Sequence, residues 1–101
     1  MNLVDTVFKN KEKIDRNAIS DGKYSHLFLS IANDNNIFHS IEEKILGLMI
    51  FTFCQNSLIA EKAGNLKLID YYRNRVNLLC LKLGNEVVEN IDAAIDTYQQ
   101  D

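Results

Sequence analysis

No proline occurs in the 101 residues, and the four glycines are isolated from one another. The first absence removes the commonest helix breaker from the whole chain. The second excludes a glycine-rich phosphate loop, which needs glycines at fixed offsets so that backbone amides can close on an anion. Cysteine and histidine are scarce as well. Cys54 and Cys80 both sit inside apolar runs without CxxC spacing, and His26 and His39 form no HxxxH or CxxH pattern with anything around them. A zinc site needs several thiolate or imidazole ligands brought together. A di-iron bundle needs a glutamate three residues before each histidine, where this chain has Lys23 and Asn36. We therefore expect no metal and no cofactor, and we expect two buried thiols in a reducing cytoplasm.

Long hydrophobic runs are missing too. The longest, Ile45 to Cys54, is broken only by Gly47 and Thr52 and is about half of a membrane span. No basic segment followed by an apolar one marks the start of the chain as a leader. Eleven basic against fourteen acidic residues give a net charge of −3, too mild and of the wrong sign for a general nucleic-acid or membrane-surface binder. What is present is 47% hydrophobic and 25% charged residues. Area scaling for 11.6 kDa gives about 65% of the unfolded surface buried, enough for one core without staples, so residues 1–101 read as a single domain.

Apolar periodicity predicts helices throughout. Leu3, Val4, Val7, Phe8 and Ile14 predict a first helix over about 2–17, whose second half has only Ile14 to bury. Ser20-Asp21-Gly22 is a turn, and Tyr24, Leu27, Phe28 and Ile31 stripe a second helix over about 23–32 that stops at Asn33-Asp34-Asn35-Asn36. Ser40 and Glu43 form a capping-box pattern that starts a third helix over about 40–63, although Asn36 could start it one turn earlier. Gly64-Asn65 ends it with the left-handed residue that helices commonly close on. A fourth helix over 66–83 ends at Gly84-Asn85, and a fifth covers about 86–99. No segment alternates with period two. The predicted class is all-α, a compact four- or five-helix bundle with antiparallel αα-hairpins across its short loops.

Two of these helices carry more apolar surface than a bundle of this size can cover. In the third, Ile45 through Phe53 place hydrophobic residues on every face. In the fourth, Ile69, Tyr72, Val76, Leu79 and Leu83 make a packing seam, and Leu78, Cys80 and Leu81 add apolar groups outside it. The surplus suggests another protein or a second copy of this chain as partner. In the last helix Val87, Val88, Ile91, Ala94, Ile95 and Tyr98 oppose Glu86, Glu89, Asp92 and Asp96, an acidic stripe that is either solvated or a contact for a basic protein. Tyr71, Tyr72, Arg73 and Arg75 form a small aromatic and basic cluster.

The chemistry of catalysis is not assembled in this pattern. Both thiols lie where the thiolate is disfavoured, and the adjacent Glu42 and Glu43 point about 100° apart on one helix. No enzyme is expected. Ile59-Ala60-Glu61-Lys62-Ala63-Gly64 resembles the first helix and turn of a helix-turn-helix DNA-binding domain, in which an Ala-x-x-x-Gly spacing lets two helices approach. Asn65 and Asp70 stand where that family has apolar residues. Ala60 through Tyr72 also resembles the hairpin of a tetratricopeptide repeat, with a bulky Ile69 where that family has alanine and with no second copy 34 residues away. Both share one generic feature, a tight αα-hairpin, and no family is assigned. The expected function is a non-enzymatic protein-protein interaction module: an adaptor, an immunity or inhibitor protein, or an assembly subunit. The contact residues expected are Tyr71, Arg75, Leu78 and Leu81, with Glu89, Asp92 and Asp96 as an acidic rim. The alternative is a DNA-binding regulator using a degenerate helix-turn-helix at 59–75.

Overall fold

The computed structural model describes residues 2–17 and 26–97, with the backbone alone at 15–17 and 26. They form six helices: α1 (Leu3–Lys9), α2 (Lys11–Asn17), α3 (His26–Ala32), α4 (Ile41–Lys62), α5 (Leu66–Leu83) and α6 (Asn85–Asp96). Among the described residues there is no strand, so the class is all-α. The turn expected at 20–22 and the stripe residues Tyr24 and Tyr98 lie outside the described residues.

Local chemistry sets the ends of the long helices. Ser40 Oγ accepts the Glu43 amide at 3.1 Å, and Glu43 Oε1 accepts the His39 amide at 2.7 Å, so α4 opens there. The earlier start at Asn36 is not taken. Instead the Asp34 carbonyl accepts the amides of Ile37 and Phe38, Asp34 Oδ1 accepts the Asn36 amide at 2.9 Å, and this tight turn tucks Ile37 and Phe38 into the core. At the other end Gly64 takes φ +71, the Asn65 amide donates to the Ala60 carbonyl at 2.9 Å and the Gly64 amide to that of Glu61 at 3.0 Å. That pair of bonds is the Schellman closure. Asn65 then opens α5, its Oδ1 accepting the Leu68 amide at 3.2 Å. Gly84 alone turns the chain from α5 into α6, at φ +101 and ψ 152, a conformation essentially confined to glycine.

The single helix expected over 2–17 is in fact two, broken at Asn10. The cause is tertiary. Asn10 Nδ2 donates to the Thr6 carbonyl and to Asp96 Oδ1, both at 2.9 Å, which holds the residue at φ −107, ψ 16 and bends the chain. The Asn10 carbonyl then accepts the amides of Lys13 and Ile14, starting α2 and sending Ile14 into the core. α1 is the hub of the fold. Leu3, Val4 and Val7 are fully buried, and the helix packs on α4, α5 and α6. Its entry is pinned by Asn2, whose Oδ1 accepts the Val4 amide at 2.9 Å and whose Nδ2 donates to the Arg73 carbonyl at 3.1 Å. Arg73 also pairs with Asp5.

The remaining framework is the α4–α5 hairpin, in which Phe53 packs on Tyr72 with ring centroids 5.9 Å apart. On the other side of α4, Phe51 stacks on Phe28 of α3 at 5.2 Å and meets the edge of Phe38 at 6.4 Å. Phe38 can lie there because position 47 is glycine: a Cβ at Gly47 would come within 2.4 Å of the ring. Buried residues from Leu3 to Ile95 form one cluster. The radius of gyration, 12.6 Å, equals the ~12.7 Å of a compact chain this long. Two polar side chains of α4 are buried with it: Ser57, whose Oγ donates to the Phe53 carbonyl at 2.8 Å, and Gln55, whose Oε1 has no hydrogen-bond partner among the described residues.

Candidate functional site

In an α-helix, residues four, seven and eleven apart share a face. Tyr71, Arg75, Leu78 and Lys82 are so related on α5, and all four are exposed. Leu81 stands beside them, 72% exposed, and Leu78 is 52% exposed. Between them lies an open depression of about 340 Å³ lined by Arg75, Leu78, Leu79, Leu81 and Lys82. Its floor is aliphatic and its edge carries two cations. At the N-terminal end of this face Tyr71 stacks on Tyr72, with centroids 5.5 Å apart, so Tyr71 is a supported aromatic plate at the surface. The structure thus brings together four of the seven expected contact residues, Tyr71, Arg75, Leu78 and Leu81.

The three acids expected as a rim are divided. Glu89 is exposed. Asp92 accepts the Thr6 hydroxyl at 2.5 Å, and Asp96 accepts Asn10 Nδ2 and lies 3.5 Å from Lys9 Nζ. These two carboxylates face α1 and hold it down. The Asn10 hydrogen bond, with Lys9 beside it, keeps the Asp96 carboxyl below its ordinary value of 3.8.

Neither thiol is placed for nucleophilic work. Burial, with Cys80 as a lesser influence, drives Cys54 far above the usual thiol range, and burial pushes the half-buried Cys80 up to about 11. His39 is an exposed residue at the start of α4, and the side chain of His26 lies outside the described residues. Among the described residues, no three of His, Cys, Asp or Glu come together as metal ligands. No helix among them is long and apolar enough to cross a membrane. The two arginines of the aromatic and basic cluster diverge: Arg73 turns to Asp5 of α1, whereas Arg75, two residues on, points to solvent.

A second surface was not among the expected contact residues. On α4, Ile41 (78% exposed), Ile45 (52%), Leu48 (39%) and Ile59 (52%) recur along one outer stripe, with Met49 (41%) beside it. Leu29 of α3 extends it, meeting Leu48 over a 150 Å³ depression floored by Phe28 and Phe51. Between Ile45 and Ala60 α4 contains no charged residue at all. That sixteen-residue silence was the available signal. Periodicity could show that this helix is apolar on every side, but not which side lacks a neighbour. Comparison with protein-family models, with curated proteins and with solved structures gives no match.

Proposed function

We propose that this chain is a non-enzymatic protein-interaction module that works in the cytoplasm and takes up its partner on the outer face of α5. The observation that carries the reading is the exposed pair Leu78 and Leu81 around the 340 Å³ depression between Arg75 and Lys82. Water gains nothing from such a surface, whereas a protein that seats an aliphatic or aromatic side chain there removes both leucines from solvent. Arg75 and Lys82 at the edge, with Tyr71 one turn away, favour a partner that flanks this side chain with carboxylates. Arg and Tyr are the residue types that most often dominate interfaces. A reducing compartment suits free thiols at Cys54 and Cys80.

The test compares tagged wild-type chain with Leu81→Asp and with Leu66→Asp, a substitution at an equally exposed leucine away from the depression. Each is purified from the native cell, and the stoichiometry of co-eluting protein is measured at low and high salt. The reading predicts a stoichiometric partner with wild type and Leu66→Asp, weakened by salt and lost with Leu81→Asp. Equal recovery with Leu81→Asp contradicts it.

A further inference from the structure

We propose that the outer stripe of α4 is a self-association surface on which a second copy of this chain packs, its α4 antiparallel to the first about a two-fold axis at Thr52. The inference rests on the reading of the chain as an interaction module, but on a different face.

Three observations select a second copy as occupant. The first is area. Ile41, Ile45, Leu48, Met49, Ile59 and Leu29 are between 39% and 78% exposed. At roughly 190 Å² per fully exposed side chain they present about 600 Å², the upper end for a monomer's largest patch and most of the ~800 Å² that each partner of a standard interface buries. The second is charge. The chain carries −3 overall, which opposes self-association wherever acids meet acids. From Ile45 to Ala60 the stripe has no charge to repel its own image and none to attract a charged partner. The acidic α6 packs on α1, α5 and α3.

The third is spacing. Ile45 and Ile59 each lie seven residues from Thr52, two helical turns on either side and on the same face. An antiparallel copy centred on Thr52 therefore sets Ile45 against the partner's Ile59 and Ile59 against the partner's Ile45. Such self-complementarity is what a two-fold interface demands. At the axis, Thr52 Oγ1 donates to the Leu48 carbonyl at 2.9 Å, so its polar group is served within the helix and a small side chain lets the two helices approach. The opposed direction also sets the two helix dipoles antiparallel, the positive end of each beside the negative end of the other.

Disulfide cross-linking of the full chain tests the register. In a Cys80→Ser background, with the buried Cys54 retained, Thr52→Cys, Ile45→Cys, Ile59→Cys and an exposed control, Asn74→Cys on α5, are oxidised with diamide. The expected result is that Thr52→Cys links to itself at least about tenfold faster than Asn74→Cys. Ile45→Cys links slowly alone but rapidly when mixed with Ile59→Cys. Linking of Thr52→Cys no faster than the control overturns the self-pairing, and rapid linking of Ile45→Cys to itself overturns the antiparallel register. Because these probes lie on α4, their failure leaves the Leu81→Asp test untouched, and loss of the α5 partner leaves the cross-linking untouched.

Discussion

Helices α4 and α6 solve the problem of an outer face in opposite ways. α6 buries Val87, Val88, Ile91 and Ile95 and presents Glu86 and Glu89 to solvent, so its sequence changes character every turn. α4 buries Ile50, Phe51, Cys54 and Leu58 on one side and presents Ile41, Ile45, Leu48 and Ile59 on the other, so its sequence barely changes at all. A helix whose outer face carries carboxylates is finished by water. One whose outer face carries Ile41, Ile45, Leu48 and Ile59 leaves apolar surface that water does not satisfy. The exposed part of α4, not its buried part, is the unusual feature of this molecule.

The two sides of α4 should therefore respond differently to truncation. Phe51 is 1% exposed and touches both Phe28 and Phe38. Phe51→Ala should cost ~3–5 kcal/mol, whereas Ile45→Ala in dilute protein should cost less than ~0.5 kcal/mol. Urea denaturation of the two variants at low concentration measures both. A large loss at Ile45 in dilute protein would mean that this side chain has an intramolecular role and that the contrast with α6 is false.

A smaller effect probes the inner side of α4 by addition instead of removal. Gly47→Ala supplies a better helix former, worth ~1 kcal/mol on propensity alone. The added Cβ meets the Phe38 ring at 2.4 Å, and displacing that ring disturbs the contact that holds the 33–40 connection in place. The sum should be a net destabilisation of ~1–2 kcal/mol, read as a lowered denaturation midpoint. A raised midpoint would show that Phe38 has room to shift.

The smallest effect belongs to α6. The Asp96 carboxyl is held below its ordinary 3.8 by Asn10 first and by Lys9 after it. A depressed folded value means that the ionised form contributes stability above the unfolded value, and that this contribution fades as pH falls through the folded one. Asp96→Asn should lower the neutral plateau slightly and leave stability in acid nearly unchanged, so that the acid limb of the stability curve below about pH 4 is flatter. An unaltered acid limb would mean that the Asn10 contact does not persist in solution.

How legible this was in the sequence follows the range of the forces involved. The limits of α5 match expectation, and those of α4 do so within a residue, because Ser40, Glu43, Gly64 and Gly84 act on amides within a few residues of themselves. The break at Asn10 was illegible, because the group that holds it, Asp96, is 86 residues away. The fit of Phe38 over Gly47 needed two elements to meet before it had any meaning. Of the candidate contact residues, Leu78 and Leu81 were visible as apolar positions outside a heptad-like seam. Asp92 and Asp96 showed their acidity but not the docking of α1, which gives both carboxylates their partners.

The most direct test of the claim that α4 ends in a protein interface is sedimentation equilibrium of the wild-type chain beside Ile45→Glu, across about 1–100 μM protein, the range in which such interfaces associate. The account predicts a wild-type chain that passes from 11.6 kDa to twice that mass with concentration. Ile45→Glu, equally helical by circular dichroism, should stay monomeric, because two-fold symmetry places one glutamate in each of the two equivalent contacts with Ile59. A wild-type chain that remains monomeric throughout, or a dimer that Ile45→Glu leaves intact, would contradict it.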